Sequence, residues 1–126
     1  YFSAEKGHGT FELVMQTKNE TVLEAIRIAK AEINRMREHL ITERELSDAK
    51  DYLTGSFPLR FDTNRKVANF LAQVEYFQLG LDYPDRYPDL IRRVTREDVR
   101  RVAQTYLKPE KLITVIVANQ KKIGDQ

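Results

Sequence analysis

The chain has 126 residues, of which 41% are hydrophobic and 32% are charged, a composition typical of one globular domain. Its 21 Lys and Arg residues and 19 Asp and Glu residues give a formal charge of +2 and are interspersed, which argues against a nucleic-acid or anionic-lipid partner. Cysteine is absent, which excludes disulfides, thiolate nucleophiles and Cys-based metal sites, and no apolar run is long enough to span a membrane.

The first predicted element is a β-strand. Phe11, Leu13 and Met15 alternate with less apolar residues and follow the turn Gly7-His8-Gly9, so one face of the strand is strongly apolar. Because position 1 is not Met, we expect the sequence to be a piece of a longer protein, with room for a targeting signal upstream.

A long amphipathic helix is predicted next. Apolar residues recur at intervals of four and three over about five turns, and Thr21 with Glu24 predicts a capping box at the start. The spacing also fits a coiled coil, but fewer than three heptads favour packing on a sheet. The stripe consists of Val22, Ile26, Ala29, Ile33, Met36 and Leu40.

The segment Ile41–Leu46 has the pattern of a second helix start. Thr42 is the predicted N-cap, Glu45 reaches back from the third helical position, and Ile41 packs on Leu46. This helix is predicted to end between Gly55 and Pro58, because the residue before a proline avoids the helical region. The residues it is expected to bury are Leu46, Ala49, Leu53 and Phe57.

A third helix is predicted from about Asp62, and Gly80 is expected to adopt the left-handed conformation at its C-terminal end. The segment Leu81–Pro88 is then predicted to be a tyrosine-rich bend. The apolar face of the third helix consists of Val67, Phe70, Leu71, Val74 and Phe77.

The last helix is predicted to begin at Thr95, with Asp98 completing a second capping box, and to end near Leu107 before Pro109. The β-branched segment Leu112–Val117 follows and is predicted to be a central strand. Residues 1–119 are therefore assigned to one module and residues 120–126 to a polar tail.

These elements predict an α/β (α+β) fold with a mixed sheet covered on one face by several helices. Two strands cannot by themselves seat so many helices, because both would keep an open edge. We therefore expect sister strands to come from a partner chain, from a second copy, or from sequence outside these residues.

The series from Thr42 to Leu53 resembles the T-x-x-E-L-x-x-A-K-x-x-L helix of the pitrilysin, insulin-degrading and mitochondrial-processing peptidase family. Four further segments resemble that family's connector, bend, last helix and final turn, and together they extend the resemblance over about Phe11 to Ala118. The quoted segments are Phe57–Asn64, Leu79–Tyr83 with Arg86-Tyr87, Val94–Val99 and Tyr106–Glu110.

The resemblance implies the C-terminal part of a non-catalytic module in a zinc-dependent peptidase. Such a module would pair with a homologous zinc-bearing module, in the same chain or in a partner chain, to enclose a peptide substrate. Four residues in irregular connectors are candidate contacts with the chamber or with the opposite module. They are Arg60, Tyr83, Arg86 and Tyr87.

The family binds zinc through His-x-x-Glu-His, and this motif is absent from the chain. His39 follows Glu38 at a predicted helix end, and His8 lies between two glycines, so neither is assigned as a metal ligand. We assign no catalytic residue, metal ligand or cofactor to this chain, and the resemblance implies zinc only for a partner module.

The main functional hypothesis is a structural, substrate-enclosing portion of a zinc peptidase that degrades or processes peptides. The alternative is a fully inactive homologue that acts as a scaffold or assembly subunit. A third hypothesis is an unrelated helical adaptor that pairs through the Val22–Leu40 stripe, and a homodimer of the chain is also left open. The family resemblance suggests the bacterial periplasm as the compartment.

Overall fold

A computed structural model describes residues 9–123 of the chain, apart from the side chain of Gln120. Within this range the secondary structure is helical, with five α-helices and four short 3₁₀ segments, of which only Phe57–Phe61 lies between two α-helices, and no residue belongs to a β-strand. The helices are α1 (Val22–Glu38), α2 (Glu43–Ser56), α3 (Asn64–Tyr76), α4 (Tyr83–Arg93) and α5 (Arg96–Tyr106).

The predicted α/β fold is therefore wrong for the described residues. Neither Phe11–Met15 nor Leu112–Val117 lies in a sheet. Their side chains nevertheless alternate in exposure, as on an extended chain: Leu13 is 46%, Val14 80% and Met15 44% exposed. The apolar alternation predicted the extended local conformation, but a strand also needs a neighbouring backbone, which periodicity alone does not supply.

The chain divides into two compact units, Ile41–Asp98 and Tyr1–Leu40 with Val99–Gln126. The unit Ile41–Asp98 contains α2, α3 and α4 around an aromatic core. Its buried core residues are Phe57, Phe70, Val74 and Tyr87, with Phe61, Leu79, Tyr83 and Ile91 packed against them.

The other unit contains α1 and a small core of its own. Ile33 of α1 is 5% exposed and packs with Ala103 and Leu107, and Phe11 and Met36 cover this cluster. Gln104 Nε2 donates a 2.8 Å hydrogen bond to the carbonyl oxygen of Arg37 at the end of α1. The central residue of the predicted α1 stripe is thus buried within the chain.

Two of the three predicted capping boxes are confirmed. Thr42 Oγ1 accepts from the Glu45 amide at 3.1 Å, and the Thr42 amide donates to Glu45 Oε2 at 2.7 Å. Thr95 and Asp98 exchange the same pair of bonds, each at 3.1 Å. These bonds satisfy amides that a helix start otherwise leaves without acceptors, which is why the pattern predicts the boundary well.

The prediction of a third capping box, at Thr21, is wrong. Thr21 makes no side-chain cap bond, and its hydroxyl donates instead to the Lys18 carbonyl at 3.2 Å. The carboxylate of Glu24 instead accepts a 2.8 Å hydrogen bond at Oε2 from Arg27 Nε. The hydrogen bond from Arg27 lowers the pKa of the Glu24 carboxyl, because it stabilises the charged form.

The helix α3 ends in a Schellman motif, one turn earlier than Gly80. The Leu79 amide donates to the Val74 carbonyl at 3.0 Å and the Gln78 amide to Glu75 at 3.1 Å. Gln78 occupies the left-handed position with φ 55°, and Gly80 also has a positive φ of 87°. The prediction that Gly80 itself ends the helix is therefore wrong, although its left-handed conformation is confirmed.

The predicted bend at Leu81–Pro88 is also wrong, since most of it belongs to α4. Pro84 lies in the first turn, where the missing amide proton costs nothing, but Pro88 lies inside the helix. Burial of Tyr87 in the aromatic core offsets the lost backbone bond at Pro88. The predictions for His8 and for residues 124–126 of the polar tail lie outside the described residues.

Candidate functional site

The four candidate contact residues lie together in the unit Ile41–Asp98, around its aromatic core. Tyr87 is 7% exposed and its ring stacks on Phe57, with centroids 4.0 Å apart and an interplanar angle of 13°. Tyr83 contacts the same cluster, 5.9 Å from Tyr87 and 6.2 Å from Phe70 between centroids. Both tyrosines therefore contribute to packing, which accounts for their places on α4.

Arg60 covers the exposed side of this aromatic stack. Its guanidinium carbon lies 5.6 Å from the ring centroid of Phe57 and 5.7 Å from that of Tyr87, a cation–π geometry. Arg60 is exposed, and within residues 9–123 its guanidinium makes no hydrogen bond or ion pair. Its N–H groups can therefore donate to an external carboxylate without breaking an internal hydrogen bond.

The side chain of Arg86 binds the turn that precedes α4. One terminal nitrogen donates to the Leu79 carbonyl at 2.6 Å, and its Nε lies 2.8 Å from Asp82 Oδ2. These contacts surround Gly80, where an added Cβ would lie 2.7 Å from Asp82 Oδ1. Arg86 thus has a structural role that the sequence did not reveal, and contact with a chamber stays a prediction for all four residues.

A feature that the sequence did not predict is an apolar groove of about 730 Å³ in the other unit. On the α1 side it is lined by the first four residues of the stripe, Val22, Ile26, Ala29 and Ile33, and by Lys30. Its walls are the segments 11–17 and 112–118, which were predicted as strands. The stripe and the apolar segments were visible in the sequence, but the space between them was not.

The middle parts of the two walls, Leu13–Gln16 and Ile113–Val117, are exposed. Ile113, Val115 and Val117 are 91%, 81% and 97% exposed. No residue of Leu13–Gln16 or Ile113–Val117 makes a backbone hydrogen bond within the part of the chain that the structure describes. Unpaired peptide groups beside apolar side chains are suited to binding another extended backbone.

His39 is exposed at the C-cap of α1, the place predicted for it, and its amide donates to the Arg35 carbonyl at 2.9 Å.

In residues 9–123 no group of three or more His, Asp or Glu side chains has an arrangement that could hold a metal ion.

None of the described helices is both long and apolar enough to cross a membrane.

The chain matches no family model. It is 28% identical over 108 residues to a Helicobacter pylori protein named "Non-peptidase homolog YmxG". The match covers 86% of this chain and 25% of that relative, so the chain spans about a quarter of the relative's length. The chain is thus distantly similar to a protein described as a non-peptidase homologue.

Proposed function

We propose that this chain is a non-catalytic module of an inactive pitrilysin-type homologue and acts as a scaffold or assembly element. The observation that carries this proposal is the 28% identity over 108 residues to a protein named as a non-peptidase homologue. The name supports the scaffold hypothesis over the hypothesis of a substrate-enclosing half of an active peptidase.

The distribution of contacts supports an architectural role. Tyr87 and Arg86, two of the candidate contact residues, are already engaged in the core and in the Gly80 turn. The apolar groove and its exposed, extended walls are suited to binding another polypeptide rather than to chemistry. Arg60 is the candidate residue that remains available to an acidic partner.

The test measures zinc content and peptide hydrolysis in the purified chain and in the natural protein that carries it. We expect less than stoichiometric zinc in both, and no peptide cleavage that is sensitive to a chelator. A fluorogenic peptide library serves as substrate, so that the result does not depend on the cleavage preference at one peptide bond. Thermolysin assayed in the same buffer shows that the library and the chelator both work.

Stoichiometric zinc with chelator-sensitive cleavage in the natural protein would contradict the scaffold proposal. That result would support the other hypothesis, in which this chain helps enclose the substrate while a separate module holds zinc. Cleavage by the isolated chain would contradict both hypotheses, because neither assigns it a catalytic residue.

A further inference from the structure

The sulfur atoms of the chain belong to Met15 and Met36, because the sequence contains two methionines and no cysteine. Peroxides oxidise a methionine thioether to a sulfoxide, which turns a flexible apolar side chain into a polar one. The effect of this oxidation on the protein depends on what each of the two side chains contacts.

The two methionines have different surroundings. Met15 is 44% exposed and lies in an extended segment. Met36 is half-buried on α1 and packs against the buried cluster of Ile33, Ala103 and Leu107. Among the described residues of this unit, these three are the buried hydrophobic ones. Met36 therefore covers the small core that holds α1, whereas Met15 is not among the residues packed against it.

We propose that Met36 is a redox-sensitive modification site that controls the packing of α1 on Ala103 and Leu107. Hydrogen peroxide is the oxidant: its O–O bond breaks, an S–O bond forms, the sulfur gives up two electrons, and the second oxygen leaves as water. The product places a polar S=O group against an apolar cluster, where burial of an acceptor without a hydrogen-bond donor is unfavourable. The oxidised side chain therefore moves into water and uncovers Ile33.

The small size of the core makes the loss of one covering side chain important. Near Met36, α1 is also held by the hydrogen bond from Gln104 Nε2 to the Arg37 carbonyl, which lies at the surface of the unit. A surface hydrogen bond adds little stability when the apolar contact beside it is lost. Reduction by a methionine sulfoxide reductase restores the thioether, so the change is reversible. Oxidation at Met36 does not depend on peptidase activity, so the scaffold proposal and this one can fail separately.

The test exposes the 126-residue chain to hydrogen peroxide. Peptide mass spectrometry follows oxidation of each methionine, and amide hydrogen exchange of α1 measures its packing. We expect Met15 to be oxidised first, because it is the more exposed, without a change in the exchange of α1. Oxidation of Met36 should then speed exchange of the amides around Ile33 by about tenfold or more, and methionine sulfoxide reductase should reverse the effect.

Substitutions separate the two sites. Met36→Leu keeps an apolar side chain of similar volume and removes the sulfur, so the exchange of α1 should no longer respond to peroxide. The matched control, Met15→Leu, should respond as the unsubstituted chain does. Met36→Gln places a polar side chain of similar length on the cluster without any oxidant and should reproduce the faster exchange, whereas Met15→Gln should not.

Unchanged exchange of α1 in chains that carry oxidised Met36 would overturn the proposal. A peroxide response that persists in Met36→Leu, or that disappears in Met15→Leu, would overturn it as well. The same holds if Met36 resists peroxide after Met15 is fully oxidised. Each variant is compared with itself before and after peroxide, and circular dichroism before treatment checks that it is folded.

Discussion

Gln78 illustrates how a single backbone angle limits what can be predicted from the sequence. The pattern after α3 contains one glycine, Gly80, and helices commonly end at glycine because it tolerates positive φ. The structure gives the first left-handed position to Gln78, with φ 55°. Leu79 then packs on the core beside Val74, so the burial of Leu79 determines where the helix ends.

We predict that Gln78→Gly stabilises the chain by about 1 kcal/mol, because glycine adopts the left-handed conformation without the steric cost that a side chain carries. The matched control is Gln73→Gly, an exposed position inside α3, which should destabilise by roughly 0.5–1 kcal/mol. Urea denaturation followed by circular dichroism measures both changes. Destabilisation by Gln78→Gly would show that strain at this position is negligible.

Local hydrogen bonding determines where several helices begin, provided that the capping residue has an extended backbone. The boxes at Thr42 and Thr95 form as the sequence predicts. The box at Thr21 does not form: Thr21 has φ −107° and ψ 3°, outside the extended region of an N-cap residue, and Glu24 forms an ion pair with Arg27. The same Thr-x-x-acid pattern therefore has two outcomes, and the backbone angles of the threonine differ between them.

Thr42→Ala is predicted to destabilise the unit Ile41–Asp98 by about 1 kcal/mol, because it leaves the Glu45 amide without its acceptor. Thr42→Ser retains the hydroxyl and should cost only a few tenths of a kcal/mol. Thr21→Ala is the comparison at α1 and should have a smaller effect than Thr42→Ala, since Thr21 makes no cap bond. Thermal unfolding of the three variants measures the differences, and equal losses at Thr21 and Thr42 would contradict the assignment.

For the whole molecule, electrostatics contributes little to stability. Most ion pairs that we describe join residues three or four apart on one helix, and their side chains are exposed, as in Arg44–Asp48. An exception is Arg96 Nε, 3.0 Å from Glu43 Oε1, which joins the start of α5 to the start of α2. Both units therefore depend mainly on their small apolar cores.

We predict that raising NaCl from about 0.05 M to about 1 M changes the free energy of unfolding by less than roughly 1 kcal/mol. Urea denaturation at both salt concentrations measures it. Glu43→Gln, which removes the Arg96 pair, should cost a similarly small amount. A loss of several kcal/mol in high salt would mean that charge pairs, rather than the apolar cores, hold the units together.

The sequence by itself determined four of the five described α-helices, two of the three capping boxes and the apolar character of the groove walls, because these depend on residues close together in the chain. It also marked Tyr83 and Tyr87 as candidate contact residues, but not their packing with Phe70 and Phe57 in one core. Only the tertiary structure decided that α4 forms and continues through Pro88, and that neither Leu13–Gln16 nor Ile113–Val117 makes a backbone hydrogen bond within the described residues. These features depend on contacts between distant residues, and strand pairing in particular requires a second backbone that no periodicity supplies.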